Sequence, residues 1–201
     1  DMEAPFADRE TMLARLEAYI KGVLEFVQTE YPGVIYAWDV VNEAMEENEE
    51  DCWRKKSLWY HTVGTDFVQY AFRFARKYAA EGVKLFYNDY NTMLPFKRDF
   101  ICENILKPLV AEGVVDGMGM QSHLVLGAHS LVDYEKALHR YGSFGLEVQI
   151  TELDIHVTDP SEKGMKELAD ACGELFRILL KAKKEGKANV TSVTFWGMKD
   201  D

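Results

Sequence analysis

Apolar positions run along the chain in two alternating rhythms. Met12, Leu13, Leu16, Ile20, Val23, Leu24 and Val27 return every three or four residues, which predicts one face of an amphipathic helix with Asp8 as its N-cap. The Pro32–Gly33 pair ends that helix, and the apolar run from Val34 to Val40 reads as a strand. A polar, acidic loop follows, then a helix carrying Phe67, Val68, Ala71, Phe72 and Ala75 on one side. The alternation continues with a strand over Val83–Tyr87 closed by the Asn88–Asn91 turn, a helix over Pro95–Ala111 and a strand over Val115–Gln121. A helix over Asp133–Tyr141, a strand over Leu146–Leu153, a long helix from Ser161 to Lys184 and a strand from Val190 to Trp196 complete it. Every predicted strand is nearly continuously apolar, the pattern of parallel strands covered on both faces.

An alternating α-β order over the whole chain fits either a doubly wound sheet or part of a (β/α)8 TIM barrel. A nucleotide-binding sheet usually carries a Gly-rich turn between a strand and the next helix, and none of these junctions has one. Polar and charged residues gather instead at the C-terminal ends of the strands, where barrel enzymes keep their chemistry. The barrel is the favoured α/β class, with this chain supplying about five of its eight β/α units. Residues 1–201 show no linker, internal repeat or low-complexity stretch, so they read as one domain.

The charge balance narrows the partners. A net charge of −11, spread along the chain apart from the acidic Glu46–Asp51 run, argues against nucleic acid, which is held by clustered Lys and Arg. It suits a neutral ligand. Cys52, Cys102 and Cys172 lie far apart without ligand-like spacing and read as free, buried thiols. No apolar run reaches the roughly 18 residues that a membrane span requires, and no His/carboxylate cluster has metal-binding spacing.

The strand ends deliver Asp39, Asn42 and Glu43; Asn88, Asp89, Tyr90 and Asn91; Gln121 and His123; Glu152 and Asp154; and Trp196 with Asp200. Two glutamates from different strands, surrounded by amides, an imidazole and an indole, are the groups a glycosidase uses. One carboxyl protonates the leaving oxygen while the other stabilises positive charge at the anomeric carbon, and their closeness helps keep one protonated. Each residue also has a plainer reading. A single Glu at a strand end is commonly solvated or salt-bridged, and His61, His129 and His139 read as structural or surface residues. His156 fits either reading, and Trp38, Trp53 and Trp59 read as core or rim packing. From spacing alone the alternatives stay open.

The strings themselves weigh further. WDVVNEA at 38–44 and GLEVQITELDI at 145–155 resemble the acid/base and nucleophile strands of family 10 glycoside hydrolases, the endo-β-1,4-xylanases. LFYNDYN at 85–91, VDGMGMQSHL at 115–124 and VTFWGMKDD at 193–201 are similar to further motifs of that family, in order, and TMLARLEAYI at 11–20 resembles the helix preceding its acid/base strand. The resemblance implies Glu43 as acid/base and Glu152 as a nucleophile that forms a covalent glycosyl-enzyme. It implies Asn42 on the sugar 2-hydroxyl, Gln121 lining the same subsite, and His123 touching the nucleophile with Asp154 behind it. Trp196 would form the floor under the bound sugar, and Tyr90 would stack on the leaving-group side.

By the same resemblance the five predicted strands are the fourth to the eighth of the barrel. The three N-terminal strands and a C-terminal helix are expected from elsewhere, as part of the same protein or as a second chain, because an open barrel leaves two apolar edges. The implied partner is xylan or a xylo-oligosaccharide, with no cofactor and no metal, and a polymeric substrate implies a secreted or periplasmic enzyme. A related retaining β-glycanase, or a fragment inactive until joined by its missing strands, are the alternatives.

Overall fold

The computed structural model describes residues 6–197. Helix α1 (Arg9–Glu30) starts where the pattern predicts, with the Asp8 carboxylate accepting from the Thr11 N–H at 2.8 Å. Strand β1 (Ala37–Asn42) follows, then α2 (Leu58–Val63), α3 (Phe67–Tyr78) and β2 (Lys84–Asp89). Helices α4 (Pro95–Ile101) and α5 (Lys107–Glu112) are one continuous helix with a π-helical turn, Cys102–Leu106, between them. Strands β3 (Gly117–Met120) and β4 (His123–Val125), α6 (Leu131–Gly142), β5 (Glu147–His156), α7 (Glu162–Lys184) and β6 (Asn189–Phe195) complete the order. Ser130 and Ser161 cap α6 and α7 with their hydroxyls, each such cap contributing about 1 kcal/mol.

The strand order settles the choice between the two α/β architectures. β1 pairs β2, β2 pairs β3, β3 pairs β5 and β5 pairs β6, every ladder parallel. Neighbours in the sheet are therefore neighbours in the chain, with no reversal of winding of the kind that defines a doubly wound sheet. β4 continues β3 after a break at Gln121–Ser122 and pairs the C-terminal end of β5. The two pieces act as one strand, so the described residues form a five-stranded arc of a (β/α)8 barrel.

Two elements escaped the sequence pattern, the short helix α2 and the short strand β4. One expectation is corrected. β2 and β3 are buried along almost their whole length, but β1 and β6 are only partly covered, although their sequences are as apolar. Among the described residues each of these two lies at the edge of the sheet, with one strand neighbour only. The expected start of the first strand is also wrong: Val34, Ile35 and Tyr36 precede it and stand exposed.

The packing of β3 explains its two glycines. A methyl group on Gly117 would overlap the Phe86 ring, and one on Gly119 would overlap the Asn88 amide and crowd Thr151. The barrel interior is full there, and only a hydrogen fits. Of the tryptophans read as packing residues, Trp53 is buried while Trp38 and Trp59 lean partly buried on the core. His61 stacks edge-on with Phe6, and His129 accepts the Val125 N–H through Nδ1 at 2.8 Å. All three cysteines are free thiols; Cys52 and Cys102 are buried and Cys172 is half-buried. Among the described residues no helix is long and apolar enough to cross a membrane, and no group of three His, Cys, Asp or Glu side chains is placed to hold a metal ion.

Candidate active site

Parallel strands in a consecutive order bring all their C-terminal ends to one rim. The ladder continues into that rim through backbone bonds: Glu43 N–H to Asn88 O, Gln121 N–H to Asp89 O and Glu152 N–H to Gln121 O, each at 3.0 Å. Strand-end residues far apart in sequence thus become neighbours. Three non-glycine residues there adopt left-handed backbone, Glu43 (φ 55°), Asn91 (φ 47°) and Ser122 (φ 68°). Such conformations cost roughly 1–3 kcal/mol and persist only where surrounding structure enforces them. For Ser122 the enforcement is visible: its hydroxyl bonds to Met120 O at 3.1 Å and to the buried Tyr134 hydroxyl at 2.8 Å.

The side chains form a continuous network. Gln121 Nε2 donates to Glu43 Oε1 at 3.1 Å and to Asn42 Oδ1 at 3.0 Å. Asn88 Nδ2 donates to the same Asn42 oxygen at 3.0 Å and to Glu152 Oε1 at 2.9 Å, while its own Oδ1 accepts from the Thr151 hydroxyl at 2.7 Å. The two glutamates are therefore joined through three amides, Gln121, Asn42 and Asn88. His123 extends the network on the Glu152 side, with Nε2 3.4 Å from Glu152 Oε2 and Nδ1 2.7 Å from Asp154 Oδ2. The Asp154 contact fixes the ring's orientation.

The two carboxylates sit in different surroundings. The Glu152 side chain is 16% exposed and the Glu43 side chain 36%. Asp39 projects from β1 with its carboxyl raised to about 6 from 3.8, first by burial and second by the charge of Glu152. Its side chain nonetheless meets water on the open side of β1, which offsets part of the first cause.

Below the Glu43 side lies an ion pair that sequence reasoning did not assign. Lys97 and Asp89 are both 0% exposed, 2.9 Å apart. Asp89 also accepts from the Met45 and Tyr90 N–H groups and from the Tyr87 hydroxyl. Burial pushes the Lys97 ammonium down, and the Asp89 charge opposes that shift. Lys97 Nζ lies 3.4 Å from the centre of the Tyr90 ring and the Arg54 guanidinium carbon 5.8 Å from it, so two cations crowd this ring. The signal was present in the sequence: Lys97, Ile101 and Ile105 share one helix face at four-residue spacing, and that face is the buried one.

Arg54 was also missed. It donates from Nε to the Glu43 carbonyl at 2.8 Å and from Nη2 to Glu43 Oε2 at 3.1 Å. Nothing in its local sequence distinguishes it from the adjacent Lys55 and Lys56.

Of the residues read from the sequence, Asn42, Glu43, Gln121 and Glu152 belong to one hydrogen-bonded assembly, and His123, hydrogen-bonded to Asp154, adjoins it at Glu152. Tyr90 adjoins it through Arg54 and Lys97. Trp196 stands apart: its N–H bonds to Leu153 O at 3.0 Å, and its side chain, 58% exposed, has no hydrogen bond among the described residues. Asp200 lies outside the described residues.

The family model described as glycosyl hydrolase family 10 matches residues 2–201. Endo-1,4-beta-xylanase B of Butyrivibrio fibrisolvens is 58% identical over 98% of this chain, which spans 30% of that protein. An endo-1,4-beta-D-xylanase of Clostridium thermocellum, solved with xylohexaose, superposes with a TM-score of 0.88 at 34% identity over 98% of this chain and 42% of its own. The endo-1,4-beta-xylanase of Caldicellulosiruptor owensensis gives 0.81 at 36% identity over 100% of this chain and 61% of its own. With two glutamates joined across consecutive strand ends and a family match along nearly its full length, the chain belongs to glycosyl hydrolase family 10.

Proposed function

We propose that this chain carries the catalytic half of an endo-1,4-β-xylanase, which hydrolyses internal β-1,4-xylosidic bonds with retention of configuration. The observation that carries the reading is the amide chain from Glu43 Oε1 through Gln121, Asn42 and Asn88 to Glu152 Oε1, which ties two carboxyl groups to one barrel mouth. Retention corresponds to a carboxyl separation of about 5–5.5 Å. Xylan as the substrate is supported by relatives named as xylanases and by the xylohexaose bound to one of them.

In the first step Glu152 attacks the anomeric carbon, forming a C–O bond to its carboxylate. The glycosidic C–O bond breaks, its electron pair stays on the leaving oxygen, and that oxygen takes the proton of Glu43. In the second step Glu43, now a carboxylate, takes a proton from water. The water oxygen attacks the anomeric carbon and displaces Glu152, which returns to its starting form. Asn42 and Gln121 hold sugar hydroxyls beside the reacting carbon, and His123, oriented by Asp154, steadies the Glu152 carboxylate. Tyr90 lies on the leaving-group side, and Trp196 forms the floor under the other sugar.

The same reading includes a complement to the sheet. Apolar grooves flank both edges, one lined by Tyr19, Val23, Trp38 and Val40 and the other by Phe176, Leu180, Val190 and Val193. These are the surfaces that three further β/α units and a last helix would cover to close eight strands. Secretion or periplasmic export accords with a polymer met outside the cytoplasm.

Reducing-sugar release from xylan, with cellulose and mannan as controls, tests the reading. It is measured on the chain alone and on the chain joined to the segment that closes the barrel. Release from xylan that disappears in Glu152→Ala is the expected result. Equal release from all three polymers, or release that survives Glu152→Ala, would overturn it.

A further inference from the structure

The reaction scheme leaves Arg54 unused, yet no other cation is bonded to either catalytic glutamate among the described residues apart from the His123 ring. It stands on the returning arm of a short hairpin. The Arg54 N–H donates to Ala44 O at 2.9 Å and the Glu46 N–H to Cys52 O at 2.7 Å, with Met45 and Trp53 bridged in antiparallel fashion. The hairpin turns the guanidinium back upon Glu43, where it grips two parts of one residue. Nε binds the main-chain carbonyl at 2.8 Å, and Nη2 binds the carboxylate Oε2 at 3.1 Å.

That double contact is informative because Glu43 is in left-handed backbone, with φ 55°. A carbonyl held at this point fixes the direction in which its side chain leaves the strand. The second carboxylate oxygen, Oε1, accepts from Gln121 Nε2. Both carboxylate oxygens therefore face groups that only donate, a guanidinium and an amide NH2. This arrangement suits the ionised carboxylate of the second step. The side chains of Arg54 and Glu43 are 34% and 36% exposed, and an ion pair that open contributes little to stability. A planar two-pronged grip supplies geometry instead.

We infer that Arg54 is a positioning residue for Glu43: it aims the carboxyl at the leaving oxygen and faces its charge once the proton is given up. The inference rests on the proposed reaction. Other charged or titratable groups close around the pair. Tyr90, from the end of β2, lies 5.8 Å below the guanidinium, with Lys97 and Asp89 behind it on α4 and β2. Glu47 comes from the hairpin itself, bonded to Asn91. Glu152 and His123, on β5 and β4, connect through Gln121, Asn42 and Asn88.

The test uses whichever form of the protein releases sugar from xylan, with Arg54→Met and Arg54→Lys beside the parent. Two substrates are compared by kcat/KM: a xylo-oligosaccharide, whose leaving group needs a proton, and a dinitrophenyl xylobioside, whose leaving group does not. Arg54→Met is expected to lose roughly 10–100-fold on the oligosaccharide and less than about threefold on the activated substrate. Arg54→Lys keeps a charge but not the fork, so it recovers only part of the rate. Equal losses on both substrates would assign Arg54 to holding the hairpin, and no loss on either would remove its role; both overturn the inference. Where Arg54→Met does not fold, Arg54→Lys alone reads the same substrate split, and equal loss on both again overturns it. Activity of the parent on xylan is measured first, so failure of the reaction itself is seen there and failure of the inference only in the variants.

Discussion

The two glutamates proposed as catalytic occupy contrasting settings a short network apart. Glu152 lies within β5, a strand paired on both sides although its register with β6 breaks between Ile150 and Leu153, with 16% of its side chain exposed and an oriented imidazole at one oxygen. Glu43 lies one residue beyond β1, at an edge of the arc, in left-handed backbone and 36% exposed. A hairpin cation and a buried ion pair below it supply the support that a second neighbouring strand gives Glu152. The difference matches the two proposed duties. A nucleophile that forms a covalent bond must sit at a fixed distance from the anomeric carbon, and a strand provides that. An acid/base gives up and regains a proton, which calls for solvent access and a partner suited to its charged form.

Replacing the residues in turn breaks the comparison most sharply. Glu152→Ala should abolish activity on both xylan and an activated aryl xylobioside. Glu43→Ala should lose xylan activity yet still release the aryl group in a burst, with added azide restoring turnover by replacing the base-assisted water. A burst in Glu152→Ala, or none in Glu43→Ala, would reverse the two assignments.

The buried support under the Glu43 side comes next. Lys97→Met leaves Asp89 as an unpaired buried charge and should cost about 3–5 kcal/mol in a denaturation experiment. Adding Asp89→Asn to that variant should recover part of the loss. A destabilisation below about 1 kcal/mol would mean that this pair does not carry the Glu43 side as argued.

Gly119→Ala tests the bridge between the halves, because its methyl would displace the Asn88 amide that links Asn42 to Glu152. A loss of about 1–3 kcal/mol is expected from the overpacking, with a larger fractional loss of kcat than of binding. Unchanged kcat in a folded variant would show that the amide chain is not needed.

The smallest effect concerns Asp39. Its folded-state value near 6 lies above the usual 3.8, so its contribution to stability is fully present below about pH 4 and is lost as pH rises through about 6. Thermal melting of Asp39→Asn should therefore change less between pH 4 and pH 7 than that of the parent. Parallel melting curves for the two proteins would show that solvent on the open sheet face holds Asp39 at its ordinary value.

Much of this was legible before any coordinates. The helix and strand alternation needed only the spacing of apolar residues, because a buried stripe requires a fixed period. α2 escaped because it has six residues, too few to establish a helical period, and β4 escaped because three residues show no alternation. The uniform apolar strands misled at β1 and β6, since sequence reports what a strand is suited to contact and not whether a neighbour is beside it. The site residues on strand ends were legible for a topological reason: consecutive parallel strands share one rim. Arg54 was not, because its position depends on how an irregular hairpin folds back.

Taken alone, the sequence determined the α/β class and pointed to the two carboxylates and most of the polar groups around them. Periodicity, strand-end placement and motif strings are local properties, carried by residues near one another in the chain. Only the tertiary structure decided the consecutive strand order, the amide chain from Glu43 to Glu152, the buried pair beneath Tyr90 and the guanidinium on Glu43. Each of these is a contact between groups that become neighbours only when the strands pair. The favourable energy of such contacts arises from distance and burial, which the order of residues does not contain.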